Sequence, residues 1–479
     1  DISDYCSDPS LVRGGCSPEA AVGRIAWTNE RKMWEKIKKK LRELEGYNEL
    51  IQRLRRGKHV SVTGLSGGSK TLVFSAIVEN FNVPFLLITP DELTLQEMID
   101  DLNAFGVDGV VTLFEEEMIP YDYHEPDTDL VGMQMSALRE LMDCRCRVVA
   151  TTVRAVIKKV INPELLKSLL TKVSVGEEFD LYQLIEKLVE MGYERHNIVE
   201  EKGQFAVRGG IVDIFEVTGL EPCRIEFDGD EVVSIREFDI ESQKSREEKK
   251  ELVIHPVRNF SVTPEGIENL REWLGSASRV HGEEAREKAL LIAEKFERGL
   301  SFFGMENYSP FFTQLVSIFE YIGKEAIVVT ISGEQCLRAV KDYGSEIESR
   351  YEKLRIEGTL YPEPDKLYLC PDEVEEVLSG YPALSFDELG KKGSVRFSTS
   401  RAGDYRKNLK ALERDIKKEI SAGRQVFFFC ASDVQRSRIE ELLGELAVDI
   451  DFLLGNLSSG LSLIHISEPT RLGMISYAV

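Results

Sequence analysis

A chain of 479 residues with 60 Lys+Arg against 83 Asp+Glu carries a formal net charge of −23, which excludes a surface that is basic throughout and leaves nucleic acid to a local patch. At about 150 residues per domain the length predicts about three domains, and 42% hydrophobic with 30% charged residues is the composition of an ordinary soluble fold. The longest apolar runs, at 84–89 and 425–431, are too short to span a membrane, and no basic-then-apolar secretory pattern opens the chain.

Residues 1–32 hold a Gly-Gly pair, two cysteines and no hydrophobic period, whereas Met33 opens a patterned segment. The stretch 1–32 is therefore expected to be a non-native leader, with Met33 as the true start. Trp34, Ile37, Leu41, Leu44, Ile51 and Leu54 then recur at three- and four-residue spacings, which predicts an amphipathic helix. Its other face is basic, with eleven Lys/Arg against four Glu in 31–58, and reads either as a solvated face or as a phosphate-binding one. From 59 to 160, apolar strands at 59–63, 84–89, 109–113 and 147–152 alternate with helical patterns such as 91–103 and 129–142. Repeated βα units predict a parallel sheet with right-handed crossovers, whose ligands sit at the carboxyl ends of strands.

The pattern changes after about 170. A helix at 180–192 leads to segments at 204–215, 223–227 and 231–238, where Gly-rich turns and period-two alternation predict an antiparallel α+β insert. A helical pattern at 283–299 and a buried strand at 326–330 then return to the first sheet. Residues 383–455 read as a last small unit, with a helix at 404–421, a strand at 425–430 and a helix at 433–445. The segment 461–471, LSLIHISEPTR, resembles a translated sequencing adapter, so 456–479 is expected to be non-native and 461–479 to add nothing to the fold. The eight cysteines are scattered, and the Cys144–Cys146 spacing does not suit a zinc knuckle, which predicts reduced thiols and a cytoplasmic protein.

Strand 59–63 runs directly into Gly64-Leu65-Ser66-Gly67-Gly68-Ser69-Lys70-Thr71 and then a helix. That is the context of a P-loop, in which backbone N–H groups cradle phosphates, lysine neutralises them and threonine holds Mg²⁺. Ser69 stands where the motif has its last glycine, and its side chain hinders the close approach that glycine permits. An anion can still be bound there. ATP hydrolysis also needs an acidic pair at the end of another buried strand. Strand 326–329 ends in Thr330-Ile331-Ser332-Gly333, with no carboxylate. Asp372-Glu373, after 367–370, is the other strand-then-acid pair, and a helix N-terminus accounts for it equally well. These residues predict no catalytic centre and no metal site. Gly64, Gly67, Ser69, Lys70 and Thr71 are the nucleotide-binding candidates of a degenerate loop.

The loop GLSGGSKTL, the stretch 120–141 and above all 205–236 (FAVRGGIVDIFEVTGLEPCRIEFDGDEVVSIR) resemble the amino-terminal half of bacterial transcription-repair coupling factors. Segments 304–312 and 326–330 fit as well, so the resemblance covers roughly 33–455. The same RGG-I-V-D-I-F string occurs in the excision-repair protein UvrB, which the front of those factors is like. UvrB keeps an intact P-loop, an acid after the strand matching 326–330, and a long aromatic-rich hairpin near 120–135. Here the segment from Pro120 to Asp129 is too short for that hairpin, which leaves Tyr121 and Tyr123 as packing residues. All three departures favour the coupling factors.

The resemblance implies an α/β fold: a degenerate P-loop (RecA-like, helicase-type) parallel-sheet domain formed by 33–170 and 255–382, an inserted α+β UvrA-interaction domain at 171–254, and a further small α/β domain at 383–455. It implies a UvrA-recruiting, catalytically inactive module of transcription-coupled nucleotide excision repair, needing no cofactor of its own. ATP with Mg²⁺, RNA polymerase and duplex DNA belong to further domains of such a factor. The alternative is a UvrB-like, ATP-dependent excision-repair helicase subunit that binds damaged DNA; a scaffold of unknown partner is the third reading. By motif position, Arg208, Arg224 and Phe227 correspond to residues of the UvrA contact, and two guanidiniums beside an aromatic form the kind of anchor that dominates interfaces. Arg208 can instead pair with Asp213 or Glu226 and fix the hairpin, while Gly209 and Gly210 serve backbone geometry. Asp228 replaces an aromatic that family members often carry after Phe227.

Overall fold

The computed structural model describes residues 34–35, 37–114, 119–121, 127–387, 394–401, 408–455, 457–458, 461–463 and 472–476. The expected leader and Tyr123 lie outside these residues. A helical stretch at 37–42 precedes α1 (Glu45–Arg55). Its basic face is in part an internal clamp: Lys38 is buried, and both Lys38 and Arg42 pair with Glu79.

The βα alternation follows as the sequence predicts. In order come β1 (Val60–Thr63), α2 (Ser69–Val78), β2 (Phe85–Thr89), α3 (Glu92–Ala104), β3 (Val110–Leu113), α4 (Thr128–Met142), β4 (Val148–Thr152) and α5 (Val153–Ile157). Asp91 and Asp127 cap α3 and α4 by accepting backbone N–H groups, each at 2.8 Å, which satisfies donors the first turn leaves orphaned.

The insert comprises β5 (Thr171–Ser174), α6 (Leu181–Glu190), β6 (Glu194–Arg195), β7 (Gln204–Arg208), β8 (Ile211–Ile214), β9 (Cys223–Asp228), β10 (Glu231–Phe238), β11 (Ser245–Lys249) and β12 (Glu251–Ile254). Six strands form one sheet in the order β11-β10-β9-β8-β7-β6, antiparallel except for the β6–β7 pair. β5 pairs with β12 at the root, where the chain enters and leaves. The insert sits directly on α4: a Cβ at Gly132 would lie 2.3 Å from the Val217 carbonyl oxygen, so only glycine allows that approach. Beside it, buried Glu216 accepts from the backbone N–H of His255 at 3.0 Å and lies 2.8 Å from its Nδ1.

After α7 (Pro264–His281) and α8 (Glu283–Glu297), the chain returns through β13 (Ile327–Ile331), α9 (Gly333–Ile356), β14 (Ala383–Phe386) and β15 (Val395–Arg396). The main sheet has seven strands in the order β15-β1-β14-β13-β2-β4-β3, and every pair is parallel. This is the arrangement of a RecA-like α/β fold with an inserted domain. One face buries α1, α2 and α3, and the other buries α4, α5 and α9, so each face has its own core. The sheet reaches past the boundary expected at 382. β14, inside the sheet, and β15, at an edge, are four and two residues long, and neither is followed by the helix that marks the earlier βα units.

A second sheet follows. It is built from β16 (Thr399–Arg401), α10 (Leu409–Ser421), β17 (Gln425–Cys430), α11 (Asp433–Leu443), β18 (Ile450–Leu454), β19 (Leu461–Leu463) and β20 (Leu472–Ser476), with strand order β16-β19-β20-β17-β18. The expectation that 461–479 adds nothing to the fold is therefore corrected. β20 pairs with β17 in parallel, and β19 bridges β20 and β16. Strand pairing uses backbone N–H and C=O groups, so an open edge accepts an extended segment of almost any sequence. Leu457 is buried as well.

Candidate functional site

The loop after β1 begins the α2 helix as a P-loop does, with Gly64 and Gly67 at positive φ of 79° and 57°. Its interior is occupied by its own chain. The Thr399 hydroxyl accepts the Ser66 N–H at 2.8 Å, donates to the Gly64 carbonyl at 2.9 Å, and lies 3.1 Å from Ser66 Oγ and 3.4 Å from Ser69 Oγ. Ser69, fully buried, turns its Oγ back to the Ser66 carbonyl at 2.6 Å. A Cβ at Gly64 would lie 1.9 Å from the Phe397 carbonyl oxygen, so segment 397–399 closes directly over the loop. Lys70, the second residue of α2, is half-buried.

The hydroxyl that would hold Mg²⁺ is also engaged. Thr71 is buried and donates to Asp101 Oδ2 at 3.2 Å. Asp101, on α3, further accepts the Ser458 N–H at 2.7 Å and the Ser458 hydroxyl at 3.1 Å. Burial pushes its carboxyl up to about 6 against the pull of those donors.

No carboxylate ends β13; Ser332 follows it at φ 58° and starts α9. The nearby acid is Asp387, just beyond β14, which the sequence reading missed because β14 itself was not visible. Asp387 accepts from the Gly333 N–H at 3.1 Å, capping α9, and from the hydroxyls of Ser385 at 2.7 Å and Ser61 at 2.8 Å. Segment 367–370 is not a strand, and Glu373 caps a helix by accepting the Cys370 N–H at 2.8 Å. Among the described residues, no three His, Cys, Asp or Glu side chains converge to hold a metal ion, and no helix is long and apolar enough to cross a membrane. Tyr121 is a packing residue: it is buried, stacks on Tyr361 and donates to the Pro362 carbonyl at 2.9 Å.

The insert divides the three expected contact residues. Arg208 pairs with Ile211, Ile211 with Glu226, and Asp213 with Arg224, so Arg208, Ile211, Asp213, Arg224 and Glu226 share one face of the sheet. Phe227, half-buried, packs against the main core with Cys223 and Ile225 on the opposite face. Asp228 is exposed. Arg224 grips Asp213 in a fork, Nε to Oδ1 at 2.6 Å and Nη2 to Oδ2 at 2.9 Å, and lies 4.7 Å above the Phe238 ring. That grip raises the Arg224 pKa still further. Of the two pairings left open for Arg208, neither forms: its exposed guanidinium donates to the Asn197 carbonyl at 2.7 Å, at the tip where Gly209 takes φ 61°. Arg236, directly opposite Arg224 on β10, joins the same face and was not singled out from sequence.

Residues 171–260 match the family model described as the UvrB interaction domain. The chain is similar to the transcription-repair-coupling factor of Myxococcus xanthus, with 28% identity over 76% of this chain and 32% of that protein. It is also similar to that of Haemophilus influenzae (25% identity, 69% of this chain, 28% of that protein) and that of Bacillus subtilis (31% identity, 47% of this chain, 19% of that protein). The chain thus spans about a third or less of the length of these curated relatives. With its UvrB interaction domain and a likeness that extends over most of its length, this chain is a homologue of the transcription-repair-coupling factors, consistent with their amino-terminal half.

Proposed function

We propose that this chain is the UvrA-recruiting module of a transcription-repair coupling factor, acting in transcription-coupled nucleotide excision repair and catalysing no reaction itself. The observation that carries the reading is the insert, which matches the UvrB interaction domain and holds Arg208 exposed at a hairpin tip, free of any carboxylate among the described residues. A guanidinium so presented suits bidentate recognition of a partner carboxylate. Against a UvrB-like ATPase stand the Thr399 hydroxyl inside the loop, the absence of an acid at the end of β13, and the commitment of Asp387 to three structural donors. RNA polymerase, duplex DNA and ATP with Mg²⁺ are, in this reading, the business of other parts of such a factor.

The test is a titration of the purified chain with UvrA without nucleotide. Saturable binding that Arg208→Ala weakens by tenfold or more supports the reading. Failure of the parent chain to bind, with its fold verified by circular dichroism, overturns it.

A further inference from the structure

We propose that Arg236 is a second contact residue of the docking face, and that Arg224 acts there only by positioning, through Asp213. This rests on the docking reading above and deepens it by reassigning which guanidiniums meet the partner.

The three arginines of the face differ in how firmly they are held. Arg224 has a bidentate hydrogen-bonded grip on Asp213, a residue that is only 5% exposed, and its charge is covered by the Phe238 ring. Turning it toward a partner would strand a buried carboxylate, which costs several kcal/mol in general. Arg236 is held far more loosely. Its carboxylate neighbours, Glu226 and Glu248, lie 3.7 and 3.6 Å away, beyond hydrogen-bonding distance, and its Nε has no hydrogen-bond partner. Glu226 meanwhile accepts the Ser234 hydroxyl at 2.7 Å. That Nε is buried, but about a third of the Arg236 side chain is exposed, so the outer part of the guanidinium is within reach of a partner carboxylate that can supply bonds the two glutamates do not.

Placement suits a single interface. Arg208 stands on β7 and Arg236 on β10, three strand spacings of about 4.8 Å across and two residues along, hence about 15 Å apart. A patch of about 800 Å² per partner spans both. Half-buried Ile211 lies between them on the same face and supplies an apolar centre in place of Phe227. The partner surface this fits presents two carboxylates about 15 Å apart around an apolar contact.

The experiment is a binding titration of UvrA against the full chain and its Arg208→Ala, Arg236→Ala, Arg236→Lys and Arg224→Ala variants, each with a thermal unfolding curve. Arg236→Ala is expected to weaken binding by tenfold or more at an unchanged midpoint. Arg236→Lys, which keeps the charge but cannot make the fork, is expected to recover only part of the loss. Arg224→Ala is expected to lower the unfolding midpoint, the mark of a positioning residue. If Arg236→Ala and Arg236→Lys bind within twofold of the parent while Arg208→Ala is impaired, the Arg236 assignment falls and the docking reading stands. If Arg224→Ala loses binding with an unchanged midpoint, its positioning role falls. If the parent does not bind, both readings fall together.

Discussion

The Thr399 hydroxyl sits 2.8 Å from the Ser66 amide nitrogen, and Thr399 is also the first residue of β16, the strand that opens the second sheet. A loop of the type that elsewhere grips phosphate here grips its own chain, and in doing so joins the two sheets. The amide is satisfied internally, so a nucleotide would have to displace a hydrogen-bonded hydroxyl and the Phe397 carbonyl before reaching it. The chain is accordingly expected not to hydrolyse ATP above background, with or without DNA. DNA-stimulated phosphate release that disappears in Lys70→Ala would overturn this and restore the UvrB-like reading.

The same contact has a measurable structural weight. Thr399→Val keeps the shape of the side chain but leaves the Ser66 N–H without its acceptor, while the Gly64 carbonyl keeps the Thr399 backbone N–H at 3.1 Å. Unsatisfied groups of this kind cost about 1–3 kcal/mol. Urea unfolding should show a loss in that range, and an unchanged midpoint would mean that the hydroxyl contributes nothing to holding the sheets together.

Arg224→Ala removes the partner of a buried carboxylate on the neighbouring strand. Breaking a buried pair from one side typically costs about 3 kcal/mol or more, whereas replacing both members with apolar residues costs much less. The double variant Asp213→Leu with Arg224→Met is therefore expected to be more stable than Arg224→Ala alone, as read from chemical denaturation. The reverse order would show that the pair is net stabilising and not merely costly to break.

Long patterned elements were legible in the sequence and short or non-local ones were not. The βα units from Val60 to Thr152 and the hairpin strands of the insert carry clear periods, and they lie where those periods put them. β15 was missed because a strand of two residues shows no period, and β14, followed by β15 and not by a helix, lacks the βα signal that marks strands of equal length such as β1; Asp387 was missed with it. Thr399 has no local signal at all, since its partner loop is more than 300 residues earlier in the chain. The motif alignment brought Arg208, Arg224 and Phe227 together, but alternation along β9 sends Phe227 to the face opposite Arg224. The choice of partner for Asp213 was likewise a matter of register, which placed Arg224 and not Arg208 across from it.

Asp101 gives the joint a pH dependence of definite sign. Burial lifts its carboxyl in the folded chain from 3.8 to about 6, while the Ser458 and Thr71 donors hold it from rising further. In the unfolded chain it titrates near its ordinary value. Below about pH 4 both states hold the proton and the contribution to stability is fully present. Between about pH 4 and 6 the unfolded chain gives up the proton that the folded chain keeps, so that contribution is lost as pH rises to the folded value and is gone above it, by about 3 kcal/mol for a shift of about two pH units. Asp101→Asn stays neutral throughout, and every other titrating group is common to the two proteins. The stability of Asp101→Asn relative to the parent should therefore rise between about pH 4 and about pH 6.5 and level off above that, measured by urea unfolding at each pH. A difference that stays constant across that range would show that Asp101 titrates as an ordinary carboxylate, and that its contact with Ser458 is too open to water to couple the end of β18 to the P-loop helix.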